Sequence, residues 1–168
     1  HEHEAVVRMA GFRAGIYLGA LGKDVTPDEV KTFETKPILE QAAEYPGLPK
    51  VAYVYMLQSQ GLLHDTYYYG IDVKKIVPTF MYPTEVFDGA IASGNCVSAC
   101  DKNPTYVHMN SPVIEELYAR HGKDINFLGC VVTNENVTLM DKERSSNMTA
   151  KLIEFLGADA VIISEEGF

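Results

Sequence analysis

The chain has 168 residues, 46% of them hydrophobic, and a formal net charge of −9. That length supports one domain with a real core, and no apolar run reaches the roughly 20 residues of a membrane span. With 14 basic against 23 acidic residues the chain lacks the clustered Lys and Arg that phosphates require, which excludes nucleic acid as an expected partner.

The opening His1-Glu2-His3-Glu4 is acidic, unlike a signal peptide. Val6, Met9, Ala10, Ile16 and Leu21 predict a Gly-rich helix over 5–21. Thr26-Pro27-Asp28-Glu29 reads as a second helix start, with Thr as cap and Pro in first position. A further helix is predicted over 37–44. The run 51–57 is β-branched and aromatic with almost no polar interruption, as in a strand covered on both faces. The run 76–82 reads as a strand that Pro78 displaces toward a sheet edge. Helices are predicted over 84–92, over 112–121 after Ser111 with Gly122 as its stop, and over 141–156 closed by Gly157. Strands are predicted over 125–133 and 160–163.

Strands separated by helical stretches predict an α/β fold, a mostly parallel Rossmann-like sheet with helices on both faces, in one domain over 1–168. Ligands of such sheets lie beyond the carboxyl ends of the strands. Here those ends carry Gln58-Ser59-Gln60, Thr133-Asn134-Glu135-Asn136 and Ser164-Glu165-Glu166, each polar directly after an apolar run.

Three cysteines cannot form a complete set of intramolecular disulfides, and this count predicts a reducing, cytoplasmic setting. Cys130 lies in an apolar run and reads as core. Cys96 and Cys100 are too far apart for a CxxC pair and have no second pair to complete a zinc site. Without a GxGxxG fingerprint or a Walker loop, neither nucleotide nor metal is expected. Asn95-Cys96 is the notable dipeptide. A thiol can attack the carbonyl of the residue before it, so this bond is a candidate self-cleavage junction; the structural alternative is a pair of buried cysteines in a turn. His64-Asp65 sets an imidazole beside a carboxylate, suited to proton transfer or to an ordinary packed position in a surface loop. The tyrosines at 67–69 read as packing groups. His108, twelve residues after Cys96, is either a thiol partner or a structural residue. His121 at a predicted helix end suits the helix dipole and the last carbonyls.

Gly61-Leu62-Leu63-His64-Asp65-Thr66-Tyr67, Tyr82-Pro83-Thr84-Glu85, the block from Gly94 to Asn110 and Asp141-Lys142-Glu143-Arg144-Ser145-Ser146-Asn147 resemble glycine/sarcosine/betaine reductase component B. The resemblance is to its processed substrate-binding proprotein, with the D-proline reductase proprotein as a related system. It runs across essentially the whole chain and is most specific around Cys96. It implies a fragment of a longer proprotein, cut between Asn95 and Cys96, with Cys96 becoming an N-terminal pyruvoyl group. By that implication the Cys96 thiol attacks the Asn95 carbonyl, sulfur is eliminated, and the resulting enamine hydrolyses to a ketone. The first step needs a thiolate, for which His64, Asp65 and His108 are the candidate assisting groups.

The same resemblance implies that the pyruvoyl group forms a Schiff base with a substrate amine, after which a partner selenol attacks the substrate's α-carbon and releases the amine. The implied substrate is a small amino acid or methylated amine: glycine, sarcosine or betaine, although the quaternary nitrogen of betaine forms no Schiff base. The implied partners are the selenoprotein subunit of component B, selenoprotein A and an acetyl-phosphate-forming component, in a hetero-oligomer. Asp65, Gln58, Asn134 and Arg144 are expected in the substrate pocket, with Lys142 and Lys102 as further carboxylate anchors on charge grounds. The competing reading is a non-catalytic α/β module that binds a small amine or a partner protein while Cys96 stays a thiol.

Overall fold

The structure is a computed structural model that describes residues 2–59, 66–94 and 103–166. His64, Asp65, Asn95, Cys96 and Lys102 lie outside the described residues. The chain divides into two compact units, His1–Thr32 and Phe33–Phe168. The first carries α1 (Glu2–Gly22), whose apolar side chains, including Val6, Phe12, Ile16 and Leu21, are exposed. The helix expected to start at Thr26-Pro27 does not form, and 25–37 is irregular. Val30, Thr32 and Thr35 are β-branched and Pro37 ends the stretch, which leaves too short and too stiff a run to offset helix nucleation.

The second unit runs α2 (Ile38–Glu44), β1 (Lys50–Leu57), β2 (Thr66–Tyr68), β3 (Ile71–Asp72), β4 (Thr79–Met81), α3 (Pro83–Phe87) and β5 (Ile91–Ser93). It continues through α4 (Thr105–Met109), α5 (Pro112–Arg120), β6 (Asn126–Asn134), α6 (Leu139–Leu156) and β7 (Ala160–Glu165). The main sheet has the order β4-β6-β1-β7. β1 pairs in parallel with both β6 and β7, and only β4 is antiparallel, at the edge that Pro78 foretold. A second, antiparallel sheet has the order β3-β2-β5.

The predicted α/β class holds, with helices on both faces of the main sheet. Val51, Tyr53, Tyr55 and Leu57 point to one face, where they meet Val86 of α3 and Ile114 and Leu117 of α5. Ala52 points to the other, against Leu156 of α6 with Ile38 and Ala42 of α2. This is the two-residue alternation of a strand buried on both sides. Cys130 is fully buried, and burial pushes its thiol well up, so it packs as a small apolar group. β7 forms the opposite edge, and its Val161, Ile162 and Ile163 are exposed. No helix among the described residues is long and apolar enough to cross a membrane.

The helix expected over 84–92 is shorter and displaced. α3 is capped reciprocally by Tyr82 and Glu85, and Asp88-Gly89 then ends it, with Gly89 at φ +87°. The remaining apolar residues Ile91-Ala92-Ser93 pair with β2 as β5. His121 also differs from expectation. Its Nδ1 accepts the Phe127 N–H at 3.0 Å and its Nε2 lies 3.5 Å from a Glu44 oxygen, so the ring joins α2 to β6 rather than serving the last helical carbonyls.

β6 keeps both its faces apolar only because of one irregularity. Val51 faces Phe127 but Ala52 faces Gly129, so Leu128 is an extra residue that reverses the phase of the strand. Phe127, Cys130 and Val132 therefore share one face although their numbers change parity. Gly129 holds φ +129°, and a Cβ there would come within 2.8 Å of the Phe80 ring. Both the left-handed backbone and the ring contact require glycine. Gly129→Ala is expected to destabilise the fold by roughly 2–4 kcal/mol, through backbone strain and overpacking together, as measured by urea unfolding.

Candidate functional site

β1 and β7 run in parallel with Met56 opposite Glu165, so the residues that follow each strand emerge at the same edge of the sheet. Gln58 follows β1 and Glu166 follows β7, the Glu166 N–H donating to Met56 O at 3.0 Å. The Glu166 side chain is fully buried. A carboxylate removed from water is tolerated only when hydrogen-bond donors replace its hydration.

Four donors do so, each from a different stretch of chain. The Gln58 backbone N–H donates to Oε2 at 3.1 Å, and the Thr66 hydroxyl donates to the same oxygen at 2.9 Å. The Ser93 hydroxyl donates to Oε1 at 2.7 Å, and His108 Nε2 lies 3.2 Å from that oxygen. The other ring nitrogen of His108, Nδ1, lies 2.7 Å from the Tyr55 hydroxyl. A carboxylate only accepts, so Nε2 carries the proton toward Glu166, and in the neutral ring Nδ1 accepts from the Tyr55 hydroxyl. Burial pushes the Glu166 carboxyl up, but the hydrogen bonds from His108, Ser93 and Thr66 more than offset this and hold it below its ordinary value. Burial pushes the Tyr55 hydroxyl well up, so it remains a donor.

The local folding that assembles this cluster is legible strand by strand. Thr66 opens β2 and Ser93 closes β5, and the two residues are directly paired. Thr105, the first residue of α4, clamps Ser93 from the other side: its Oγ1 accepts the Ser93 N–H at 2.9 Å and donates to the Ser93 carbonyl at 3.1 Å. His108 then lies on the same short helix, fully buried.

Of the residues expected at the site, His108 and Gln58 meet at Glu166. Gln58 Oε1 is buried and has no hydrogen-bond partner among the described residues, an acceptor open to an N–H donor. Asn134 belongs to a separate polar group. Its amide nitrogen donates to Val73 O at 2.7 Å, its oxygen accepts from Asn136 and Ser145, and it borders a groove of about 740 Å³ between α6 and the sheet. Lys142 lines the same groove. Arg144 is exposed on α6 and pairs with Asp141 at 2.5 Å, with no hydrogen bond joining it to the Glu166 cluster among the described residues. His64, Asp65, Asn95, Cys96 and Lys102 are outside the described residues. Sequence reasoning missed the centre of the cluster. Glu166 stood in view as one polar residue of a strand-end triplet, whereas Tyr55, Thr66, Ser93 and Thr105 carried no signal that set them apart from ordinary strand and cap residues.

A family model described as "Glycine/sarcosine/betaine reductase component B subunits" matches residues 1–168. Among curated proteins, the glycine reductase complex component B subunits alpha and beta of Acetoanaerobium sticklandii are 72% identical over 168 residues, which is 100% of this chain and 39% of that protein. In Peptoclostridium acidaminophilum, the sarcosine reductase complex component B subunit alpha is 66% identical over the same 100% and 39%. The betaine reductase complex component B subunit alpha of that organism is 42% identical over 96% of this chain and 37% of the relative. The chain thus spans 39% of the length of the first of these relatives. No solved structure matches the chain.

Because the folded carboxyl of Glu166 titrates below its unfolded value of about 4.3, its stabilising contribution is complete above that value and is lost as pH falls through the folded one. The unfolding free energy is therefore expected to decline below about pH 4, as followed by urea unfolding at stepped pH, with the part due to Glu166 absent from Glu166→Gln. Tyr55→Phe, which leaves His108 Nδ1 without its donor, is expected to cost about 1–3 kcal/mol at neutral pH in the same assay.

Proposed function

Since the chain belongs to the glycine/sarcosine/betaine reductase component B family, we propose that it is the portion of that component processed at Asn95-Cys96, where Cys96 becomes a carbonyl group that captures substrate. The observation that carries this reading is the shared anchoring of two chain segments. The segment that bears His64-Asp65 runs between Gln58 and Thr66, and the one that bears Asn95-Cys96 runs between Ser93 and Thr105. Gln58, Thr66 and Ser93 all donate to the single carboxylate of Glu166. The described ends of both segments therefore meet at the carboxyl edge of the sheet, where ligands of α/β sheets bind.

In this reading Cys96 Sγ attacks the Asn95 carbonyl carbon, giving a thioester and freeing the residue-96 nitrogen. The Cβ–S bond then breaks with loss of the α-proton, and the sulfur departs with the Asn95 acyl group. Water converts the residue-96 enamine to a ketone and releases ammonia; a second water turns the thioacid at Asn95 into a carboxylate and hydrogen sulfide. The proton of the Cys96 thiol needs an acceptor, a role suited to His64 supported by Asp65. His108 has both ring nitrogens engaged, and so is suited to hold Glu166 in place rather than to accept the Cys96 proton. The pyruvoyl group supplies an electrophilic carbonyl for a substrate amine. Gln58 Oε1, which has no hydrogen-bond partner among the described residues, is suited to accept an N–H of that substrate.

Relatives named for glycine and sarcosine reductase are 72% and 66% identical, against 42% for the betaine reductase relative. This difference supports a substrate with a primary or secondary nitrogen. In this reading a partner selenol breaks the carbon–nitrogen bond, and a further component then converts the resulting selenoether to acetyl phosphate. The protein therefore acts within a hetero-oligomer, in the cytoplasmic setting that its cysteine count predicts.

Intact-mass spectrometry of the full-length protein, with and without borohydride, tests the processing. Two fragments divided at 95/96 are expected, the second blocked and reducible at its N-terminus, and Cys96→Ala is expected to abolish both features. A single uncut mass with a free thiol at Cys96 would instead mean an unprocessed precursor or a binding module.

A further inference from the structure

We infer that Glu166 is the positioning residue for the chemistry at Asn95-Cys96, an inference that rests on the processing proposed above. The segment that bears His64 and Asp65 is tied at both ends to this carboxylate, through the Gln58 N–H at 3.1 Å and the Thr66 hydroxyl at 2.9 Å on Oε2. The segment that bears the scissile bond is tied to Oε1, directly through the Ser93 hydroxyl at 2.7 Å and on its far side through His108 of α4 at 3.2 Å. Thr105 closes the ends of that second segment on each other through its two hydrogen bonds to Ser93. One carboxylate thus fixes where the proposed base and the proposed nucleophile enter and leave the fold.

The chemistry of the group explains why it is glutamate. Two oxygens with about four lone-pair sites accept four donors that converge from separate elements. A glutamine offers one accepting oxygen and sets an N–H₂ against two of those donors. The Gln58 backbone N–H has no way to become an acceptor, whereas the hydroxyls rotate. Glu166→Gln therefore leaves the volume of the site intact and loosens the ends of at least one segment. Attack of a thiol on the preceding carbonyl depends on near-attack geometry, in which an error of about 1 Å costs on the order of 100-fold. Glu166 acts through Ser93, Thr66, Gln58 and His108, the residues among those described that bond its carboxylate.

The test is a time course of processing in the full-length proprotein, wild type against Glu166→Gln, with and without hydroxylamine, which intercepts a thioester. Thermal melting is recorded alongside. Slower appearance of the 95/96 fragments by about 10–100-fold, in both conditions and with a cooperative melt retained, supports the inference. A hydroxylamine-induced rate equal to that of wild type would show that the acyl shift is already well aligned without Glu166, and would overturn it. Processing at the wild-type rate would overturn it as well. If Glu166→Gln does not fold, Ser93→Ala, which removes one donor and no charge, decides by the same readouts. Failure of the wild-type protein to cleave at 95/96 sinks the processing reading itself, an outcome distinct from a wild type that cleaves alongside an equally fast variant.

Discussion

The structure at the carboxyl edge of the sheet depends on a buried negative charge. An ion the size of a carboxylate loses several kcal/mol of solvation when it leaves water, and only closely placed donors restore it. Glu166 finds them in a backbone N–H, two hydroxyls and an imidazole. Each donor comes from a part of the chain with its own reason to be nearby: the end of β1, the start of β2, the end of β5 and the short helix α4. An apolar side chain in this place would fill the same volume without linking any of them. Removing a single donor strands part of a charge in a dry site, so the cluster is maintained as a unit.

The cluster in turn depends on the register of the main sheet. Parallel pairing of β1 with β7 sets Gln58 and Glu166 side by side, and the alternation along β1 sends Tyr55 to the face where α4 and α5 lie. Tyr53, on the same face, bonds Ser164 across the strand pair. The polar groups of these two tyrosines therefore lie beneath the strand ends while their rings pack in the core, 5.1 Å apart between centroids. On the partner strand, the extra residue Leu128 lets β6 bury both its faces while meeting β1. Shifting β1 by one residue would turn Tyr55 away from His108 and carry Gln58 off Glu166. The demand for a dry core on both faces and the demand for a satisfied carboxylate thus select the same register.

The parts of the fold most legible in the sequence are those governed by long apolar runs. β1 and β6 are continuous enough to mark doubly covered strands, and Ser111-Pro112 and Gly157 bound their helices as capping chemistry requires. The short elements were not legible, because their conformation is set by partners distant in sequence. Ile91-Ala92-Ser93 continues an apolar helical pattern from α3, and only Gly89 and the neighbouring β2 make it a strand. Thr26-Pro27 has good capping chemistry with no helix-forming run behind it. The polar residues after apolar strands were legible in outline, and among the expected residues His108 and the backbone of Gln58 meet at Glu166. Glu166 was not separable from Glu165 by type. Only the side of the strand end on which each emerges distinguishes them, and that is decided by the pairing of β7 with β1.

This arrangement also bears on why a self-processing junction would sit beside a rigid cluster. Bringing together the ends of any stretch of about eleven residues costs on the order of 2 kcal/mol in chain entropy. Between Ser93 and Thr105, the hydrogen bonds of Thr105 and Glu166 to Ser93 offset that cost during folding. In the proposed reaction the thiol and the carbonyl it attacks belong to adjacent residues, so diffusion together is no obstacle. What the fold can contribute is restriction of the backbone to the few conformations in which sulfur approaches the carbonyl carbon. Such restriction is most effective when both ends of the segment are fixed, because a free end lets the peptide rotate away from strain. The carboxylate is therefore best placed outside the reacting atoms, where it holds the segment's ends without competing for the thiol's proton.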